Sequence, residues 1–316
     1  MILIFSEDNE IAFEILSKAR ELAESSGSEL ASISFGGGEN AHVAFGASRV
    51  FSIQPRDSSI MPSLQADTAV EVISGLIDQY RPETLLIGST KLGREVAPRI
   101  AQQLGVGCAT DCIDFSLDRE QLIVKRFVLG GRFISTQKFL RKPQIATVPP
   151  KKFEKKINGS RKGEIIIIKT SLKPSGTGVQ VVETKKKAAQ ELKIEDANII
   201  VSAGRGIKKK EDLRLIEELA QVTGSAVGCS RSIAADLKWL SEEHWIGLSG
   251  HKVKPKLYIA IGISGQVQHI AGIRDSRTIV AINNDPNAPI FKACDYGMVG
   301  DLYDIVPKLV AILKKS

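Results

Sequence analysis

The chain has 316 residues, of which 43% are hydrophobic and 25% are charged. This composition is typical of soluble globular proteins and excludes a disordered or fibrous chain, and the length suits two domains of ordinary size. The net charge of +7 comes largely from short lysine runs within 151–156 and at 185–187, and only 5% of the residues are aromatic. Because nucleic-acid-binding surfaces combine basic patches with stacking aromatic side chains, we expect no nucleic-acid partner.

The cysteines and the first residues indicate where the protein works. Cys108, Cys112, Cys229 and Cys294 form no C-x-x-C pair, so we expect neither a metal centre nor a disulfide framework. Met1 leads directly into an apolar run with no basic segment, which argues against a targeting peptide. The apolar runs are too short to cross a bilayer. The sequence therefore predicts a cytoplasmic protein.

The first third of the chain alternates β-like runs with amphipathic helical stretches. Ile11, Ile15, Ala19 and Leu22 fall on one stripe, which indicates a helix. The predicted elements are a strand at 1–5, a helix at 9–24, strands at 30–35 and 49–53, a helix at about 66–79 and a strand at 84–87. This alternation is typical of a mostly parallel sheet covered by helices.

The segment from about 108 to 183 has a different pattern, because its strands follow one another without helices between them. The predicted strands lie at 112–117, 121–127, 134–139, 145–148, 164–170 and 179–182. We interpret this segment as a β-rich extension of the first domain.

A second alternating pattern begins after the lysine run at 185–187, which predicts a domain boundary near 185–195 and two domains, 1–185 and 186–316. The predicted elements of the second domain are a strand at 198–202, a helix at 209–222, a strand at 226–229, a helix after Arg231, a strand at 257–262, a helix at 266–271, a strand at 278–282 and a helix at 301–314. The predicted fold class is α/β. It combines an N-terminal parallel-sheet, nucleotide-binding-like domain that carries a β extension with a C-terminal doubly wound, Rossmann-like domain.

Small or hydrogen-bonding residues follow each strand of the second domain. The four junctions are Gly204-Arg205-Gly206, Gly228-Cys229-Ser230-Arg231, Gly262-Ile263-Ser264-Gly265 and Asn283-Asn284-Asp285. Since the carboxyl ends of parallel strands meet at one edge, these junctions predict a site for a phosphate-bearing ligand. Each motif alone also has a structural explanation, because a G-x-G turn, a serine helix cap, a lone histidine and an Asx/Pro turn are all common without a ligand.

The order and spacing of these blocks resemble one known family. The matching blocks are Gly204-Arg205-Gly206, Gly228-x-Ser230-Arg231, Gly250, Gly262-Ile263-Ser264-Gly265-x-x-Gln268-His269, Asn283-x-Asp285-Pro286, Asp295-Tyr296-Gly297 and Asp301-Leu302. Together they resemble the FAD-binding domain of electron-transfer flavoprotein alpha subunits. A looser likeness continues through residues 93–99 and 146–151 of the first domain.

The resemblance implies one FAD in the C-terminal domain. Arg205, Ser230 and Arg231 match residues beside the flavin and its phosphates, His269 matches a residue at the pyrimidine side of the isoalloxazine, and Asn283 and Asp301 match adenosine contacts. The full set of expected cofactor-binding residues is Arg205, Ser230, Arg231, Ile246, Gly247, Leu248, Ser249, Ser264, Gly265, Gln266, Val267, Gln268, His269, Asn283, Asp301 and Leu302. A cation or donor such as Arg231 or His269 beside the flavin raises its potential.

Two positions depart from the family pattern. Leu248-Ser249 stands where a Gln-Thr pair is common, so Ser249 keeps a hydroxyl for flavin N5 but Leu248 cannot supply an amide. Pro149-Pro150 stands where an Arg-Pro pair is common near the end of the first domain.

In function, the resemblance implies an electron carrier and not an enzyme. It implies a heterodimer with a smaller electron-transfer flavoprotein beta subunit, electron donation by flavin dehydrogenases such as the acyl-CoA dehydrogenases of fatty acid β-oxidation, and delivery to a membrane-bound quinone oxidoreductase. Two alternatives are a stand-alone dinucleotide-dependent dehydrogenase and a nucleotide-binding regulatory module. The sequence shows no acid–base constellation, which disfavours the dehydrogenase, and the flavin-type residues Arg231 and His269 disfavour the module.

Overall fold

A computed structural model describes residues 1–55, 65–158, 162–170 and 194–315. The chain divides into two compact units, Met1–Lys185 and Lys186–Ser316. The strand predicted at 179–182 and most of the boundary region predicted near 185–195 lie outside the described residues. No helix in the described ranges has the length and apolar character needed to cross a membrane.

Up to residue 170 the first unit contains the predicted strands and helices, with boundaries shifted by a few residues, together with two further helices and one further short strand. In chain order its elements are β1 (Ile2–Phe5), α1 (Asn9–Ser26), β2 (Leu30–Phe35), α2 (Glu39–Ala44), β3 (Arg49–Pro55), α3 (Ala66–Tyr80), β4 (Thr84–Gly88), α4 (Lys91–Leu104), β5 (Cys108–Ala109), β6 (Cys112–Asp118), β7 (Gln121–Val128), β8 (Phe133–Lys138), β9 (Gln144–Val148) and β10 (Glu164–Thr170). Helices α2 and α4 were not predicted from the sequence.

The main sheet of the first unit has seven parallel strands in the order β10-β3-β2-β1-β4-β9-β5. Only part of the segment predicted as a β-rich extension of the first domain lies outside the main sheet. Strands β6, β7 and β8 form a separate antiparallel sheet, whereas β9 and β10 join the main sheet on opposite sides of β1. All of β9 is buried, and a short buried strand does not reveal from its sequence which strand it will pair with.

The second unit is a five-stranded parallel sheet flanked by helices. Its elements are β11 (Ile199–Ala203), α5 (Leu213–Thr223), β12 (Ala226–Cys229), β13 (Leu257–Ile261), α6 (Val267–Ile273), β14 (Ile279–Asn283), β15 (Tyr296–Val299) and α7 (Leu302–Leu313). Strand β15 was not predicted. The helix expected after Arg231 is a single π-helical turn, Ser232–Asp236, and a 3-10 turn at Lys210–Asp212 precedes α5.

The strand order of this unit places its loops for ligand binding. The order is β12-β11-β13-β14-β15, so the chain leaves β11 for β12 on one side and then returns to β13 on the other. This reversal is a topological switch point, beside which ligands bind at the carboxyl ends of the strands. The loops after all five strands meet at that edge.

Candidate functional site

A cleft of about 690 Å³ opens at the carboxyl edge of the five-stranded sheet. Its volume is within the range of small-molecule and cofactor sites. The cleft is lined by residues that follow each of the strands and by residues 245–249. Every residue expected to bind the cofactor lines this cleft, except Gly265 and Val267. The structure thus brings together residues that are almost a hundred positions apart.

Glycines form the floor of the cleft where the loops after β11 and β13 touch. The Gly204 and Gly206 amides donate to the carbonyls of Ile261 and Gly262, at 2.9 and 3.0 Å. A Cβ on Gly204 would lie 2.2 Å from the Gly262 oxygen, and one on Gly206 would lie 2.7 Å from the Gly262 Cα. Only glycine permits this approach of two backbones. Because α5 begins at Leu213, the Gly204-Arg205-Gly206 turn does not lie at the N-terminus of that helix.

Gly265 and Val267 have other surroundings. Gly265 has a φ of +80°, and a Cβ there would lie 2.3 Å from the amide nitrogen of Ile290. The same loop is held by a hydrogen bond from the Ile290 amide to the Ser264 carbonyl, at 3.0 Å. Gly265 therefore serves packing between two loops. Val267 is exposed in the first turn of α6 and does not itself line the cleft.

Two arginines and a serine offer unused donors to the cleft. Arg205 and Arg231 are exposed, line the cleft, and make no side-chain hydrogen bond or ion pair within the described part of the chain. The Ser230 Oγ is buried without a hydrogen-bond partner there. A buried hydroxyl without a partner costs about 1–3 kcal/mol, so a ligand with oxygen acceptors would satisfy it. Guanidinium groups suit phosphates and flavin edges.

His269 is the buried histidine of the cleft. Its side chain is 7% exposed, and its Nε2 lies 3.0 Å from the Oη of Tyr258, whereas Nδ1 has no hydrogen bond among the described residues. Burial lowers the pKa of His269 to about 4, against an opposing effect of the Ile246 carbonyl. The imidazole is therefore neutral near pH 7. The ring offers a hydrogen bond and no charge. Of His269 and Arg231, Arg231 is therefore the one that brings a positive charge to the cleft.

Asn283 and Asp301 are both partly used by the protein itself. The Asn283 amide donates to the Ile263 carbonyl at 2.9 Å and accepts from the Asp285 amide at 3.0 Å, so this side chain braces two loops of the cleft. Asp301 accepts from the Tyr303 amide at 2.9 Å and caps α7. One carboxylate oxygen is engaged in that cap, and the second remains for a ligand hydroxyl.

The segment 246–249 is attached to α6 and supplies one wall. The Leu248 amide donates to the Gln268 carbonyl at 2.7 Å, and the Gly247 amide donates to the His251 carbonyl at 3.1 Å. A Cβ on Gly272 would lie 2.6 Å from the Gly247 nitrogen, so the segment lies directly on the helix. Leu248 and Ser249 are left exposed at the cleft.

The lining residues that were not expected to bind the cofactor include Lys208, Trp245 and Tyr303. The Tyr303 hydroxyl donates to Asp212 at 2.7 Å and accepts from the Lys208 amide at 2.8 Å. Lys208 lies two positions beyond Gly206, Tyr303 directly follows Leu302, and Trp245 directly precedes Ile246. Their position beside the recognised motifs is the feature of the sequence that could have predicted them as lining residues.

The site has donors and cations but little chemical machinery. No group of three or more His, Cys, Asp or Glu side chains in the described ranges forms a metal site. The one buried histidine of the cleft is neutral and engaged by Tyr258. This chemistry suits holding an anionic, oxygen-rich ligand more than making or breaking its bonds.

Comparison with known proteins identifies the family. Residues 4–172 match the electron transfer flavoprotein domain, and residues 193–274 match the electron transfer flavoprotein FAD-binding domain. The alpha subunit of the electron transfer flavoprotein from Thermoanaerobacterium thermosaccharolyticum is 38% identical, with 99% of this chain and 98% of the relative aligned. The corresponding subunit of Clostridium acetobutylicum is 34% identical over 100% and 97% of the two chains.

A third relative is named for a different activity. Subunit LctC of the lactate dehydrogenase (NAD(+),ferredoxin) of Acetobacterium woodii is 34% identical, with 96% of this chain and 73% of LctC aligned. Across these relatives the likeness extends over both units of the chain.

The cleft fits the cofactor that the family match names. FAD carries two phosphates and many oxygen acceptors, and the cleft presents two free guanidinium groups and the unpaired hydroxyl of Ser230. The chain belongs to the electron transfer flavoprotein alpha subunit family, and its C-terminal unit is an FAD-binding domain.

Proposed function

We propose that this chain is the alpha subunit of a heterodimeric electron carrier whose FAD occupies the cleft of the second unit. The observation that carries the proposal is the convergence of Arg205, Arg231 and the unpaired Ser230 hydroxyl on one cleft. Bound FAD supplies reversible uptake and release of electrons. The protein supplies binding, orientation and the electrostatic environment.

Each group has a role that follows from its chemistry. Arg231 and Ser230 contact the flavin and the phosphates, and the fixed charge of Arg231 favours the flavin form that carries more negative charge. Arg205 adds a second fixed charge at the same edge. Asp301 accepts a hydrogen bond from a ribose hydroxyl. Asn283 holds the loops after β13 and β14 together.

His269 and the segment 246–249 complete the proposed binding mode. His269 donates a hydrogen bond to the flavin without adding a charge, because its ring is neutral. Ser249 presents its hydroxyl towards the flavin N5, and Leu248 covers the ring edge with an apolar surface instead of an amide. The remaining lining residues exclude water from the cofactor.

The proposed partners are a beta subunit, donor dehydrogenases and an acceptor. We assign the first unit to docking, because the expected cofactor-binding residues all belong to the second unit. The donors are flavin dehydrogenases such as acyl-CoA dehydrogenases, and the acceptor is a membrane-bound quinone oxidoreductase. The relatives aligned over nearly their full length are named as alpha subunits of electron transfer flavoproteins, which supports the pairing with a second subunit.

The likeness to LctC supports a second candidate function. In that case the chain is one subunit of a larger dehydrogenase complex that uses NAD(+) and ferredoxin. The two candidates share the FAD cleft and differ in the partners.

Purification of the chain with its beta subunit tests both candidates. We expect a yellow protein with FAD, which an acyl-CoA dehydrogenase and its substrate reduce and a quinone oxidoreductase reoxidises. Reduction by NADH with ferredoxin as an acceptor, and a second FAD per heterodimer, would favour the LctC-like complex. Bound NAD with no flavin would contradict the proposal and support a stand-alone dinucleotide-dependent dehydrogenase.

A further inference from the structure

Tyr258 is a wholly buried polar side chain that has no part in the proposed binding of FAD. It lies in β13, is 0% exposed, and is one of the largest fully buried side chains of the protein. Its Oη lies 3.0 Å from the Nε2 of His269. A phenol in the core usually needs a hydrogen-bond partner, and here that partner is the histidine of the cleft.

The second ring nitrogen indicates which tautomer suits a ligand in the cleft. Nδ1 is buried without a hydrogen-bond partner among the described residues, and His269 lines the cleft. A neutral imidazole carries one proton and one lone pair. Because FAD is rich in oxygen acceptors, the tautomer that binds it has its proton on Nδ1. Nε2 then has the lone pair and accepts the proton of the Tyr258 hydroxyl.

Ser202 supports the same direction from the neighbouring strand. Ser202 pairs with Ala260 and Ile200 pairs with Tyr258 in the parallel register of β11 and β13, so Ser202 and Tyr258 share one face of the sheet. The Ser202 Oγ is buried and has no hydrogen-bond partner among the described residues, so it does not accept the Tyr258 proton. That proton remains for His269. Desolvation raises the pKa of Tyr258, so the phenol stays protonated.

We propose that Tyr258 is a positioning residue of the FAD site, which holds His269 as the neutral tautomer with its proton on Nδ1. The proposal rests on the proposed binding of FAD in this cleft. With Nε2 engaged by Tyr258, the Nδ1–H is the one donor that the ring retains for a flavin oxygen. A lone pair at that position would repel the same oxygen. Tyr258 therefore decides whether His269 attracts or repels the cofactor.

The direct test is the protonation pattern of His269 in the intact heterodimer with FAD. Histidine labelled with 15N distinguishes a protonated ring nitrogen from one with a lone pair, and the spectrum of His269→Gln assigns the signals. We expect a proton on Nδ1 and a lone pair on Nε2 from pH 6 to 8. A proton on Nε2, or on both nitrogens, would overturn the proposal whether or not any variant folds.

The matched variant is Tyr258→Phe, which removes the hydroxyl and keeps the ring. Loss of one buried hydrogen bond leads us to expect FAD to dissociate with a Kd raised roughly 5- to 10-fold, together with mixed tautomers at His269. Tyr296→Phe removes a hydroxyl from an exposed position outside the cleft and serves as the control. Unchanged tautomer and unchanged affinity in Tyr258→Phe would overturn the proposal.

The proposed function and the proposed role of Tyr258 can be refuted independently of each other. If the wild-type heterodimer binds no FAD, the proposed function is wrong, and the tautomer measurement still decides the state of His269. If the wild type binds FAD and Tyr258→Phe behaves as Tyr296→Phe does, the proposed function stands and the role of Tyr258 is wrong.

Discussion

Gly262→Ala gives a sharp test of how the floor of the cleft is built. Gly262 has a φ of +62°, and a Cβ there would lie 2.8 Å from the Gly206 Cα and 3.0 Å from a methyl group of Leu302. The chain offers a matched control in Gly224, which has the same φ of +62° and no described atom within 4 Å of its Cβ position. The two variants share the backbone strain and differ in the contact.

The expected magnitudes follow from those geometries. An alanine in the left-handed region costs about 1–2 kcal/mol, and the gain from a less flexible unfolded chain, about 0.4–1 kcal/mol, is common to both variants. Gly262→Ala also forces the loops after β11 and β13 apart, which adds about 1–3 kcal/mol as other overpacked sites do. We therefore expect Gly262→Ala to be less stable than Gly224→Ala by about 1–3 kcal/mol.

Tryptophan fluorescence reports the relevant unit, because Trp239 and Trp245 are the two tryptophans of the chain and both belong to the second unit. Urea unfolding of the two apoprotein variants gives the difference in free energy, and FAD titration gives the affinities. We expect weaker FAD binding in Gly262→Ala and unchanged binding in Gly224→Ala. Equal stabilities and equal affinities in the two variants would refute the proposed close approach of the loops.

Two further predictions concern charge and pH. Arg231→Ala removes a cation whose interaction with a flavin charge is worth about 1–3 kcal/mol at roughly 5 Å and intermediate dielectric. The one-electron potential of bound FAD should therefore fall by roughly 50–130 mV, whereas the exposed control Lys209→Ala should leave it unchanged. An unchanged potential in a reductive titration of Arg231→Ala argues against the placement of Arg231. Burial lowers the pKa of His42 to about 4 from 6.5, against the opposing effect of the Glu39 charge. The buried ring lies within hydrogen-bond distance of Ser32 and Asn9, at 3.0 and 3.1 Å. The unfolded chain then binds a proton at this histidine more readily than the folded chain does. The stability that the neutral His42 contributes is therefore present above about pH 6.5 and is lost as the pH falls to 4, by about 3 kcal/mol in all. Urea unfolding from pH 7.5 to 4.5 should show a shallower acid loss in His42→Gln, and identical slopes in the two proteins would contradict the prediction.

Local patterns predicted most elements, and long-range pairing decided the rest. Strand β2 has the predicted bounds, because an apolar run between turn residues is a local signal. Helix α4 was missed because Gly93 and Pro98 lie within it, and both lower helix propensity. Strand β15 is exposed along its whole length, so no alternation of buried and exposed residues marked it. The places of β9 and β10 in the main sheet depend on partners far away in sequence.

The candidate site was predictable where its residues lie in the recognised loops. The structure places Arg205, Ser230, Arg231 and His269 at one cleft as expected, and their contact with FAD remains a prediction. The protonation state of His269 was beyond the sequence, because it depends on burial and on Tyr258. Sequence proximity alone likewise could not separate Gly265, which packs against another loop, from the residues that line the cleft.

Hydrogen–deuterium exchange of the full-length heterodimer, with and without FAD, tests the central claim most directly. We expect FAD to protect the backbone amides at 203–208, 230–233, 246–249, 264–269 and 301–304, since these segments surround the cleft. The carboxyl edge of the seven-stranded sheet in the first unit should exchange at the same rate in both states. Protection confined to that first sheet, with none around the cleft of the second unit, would contradict the account.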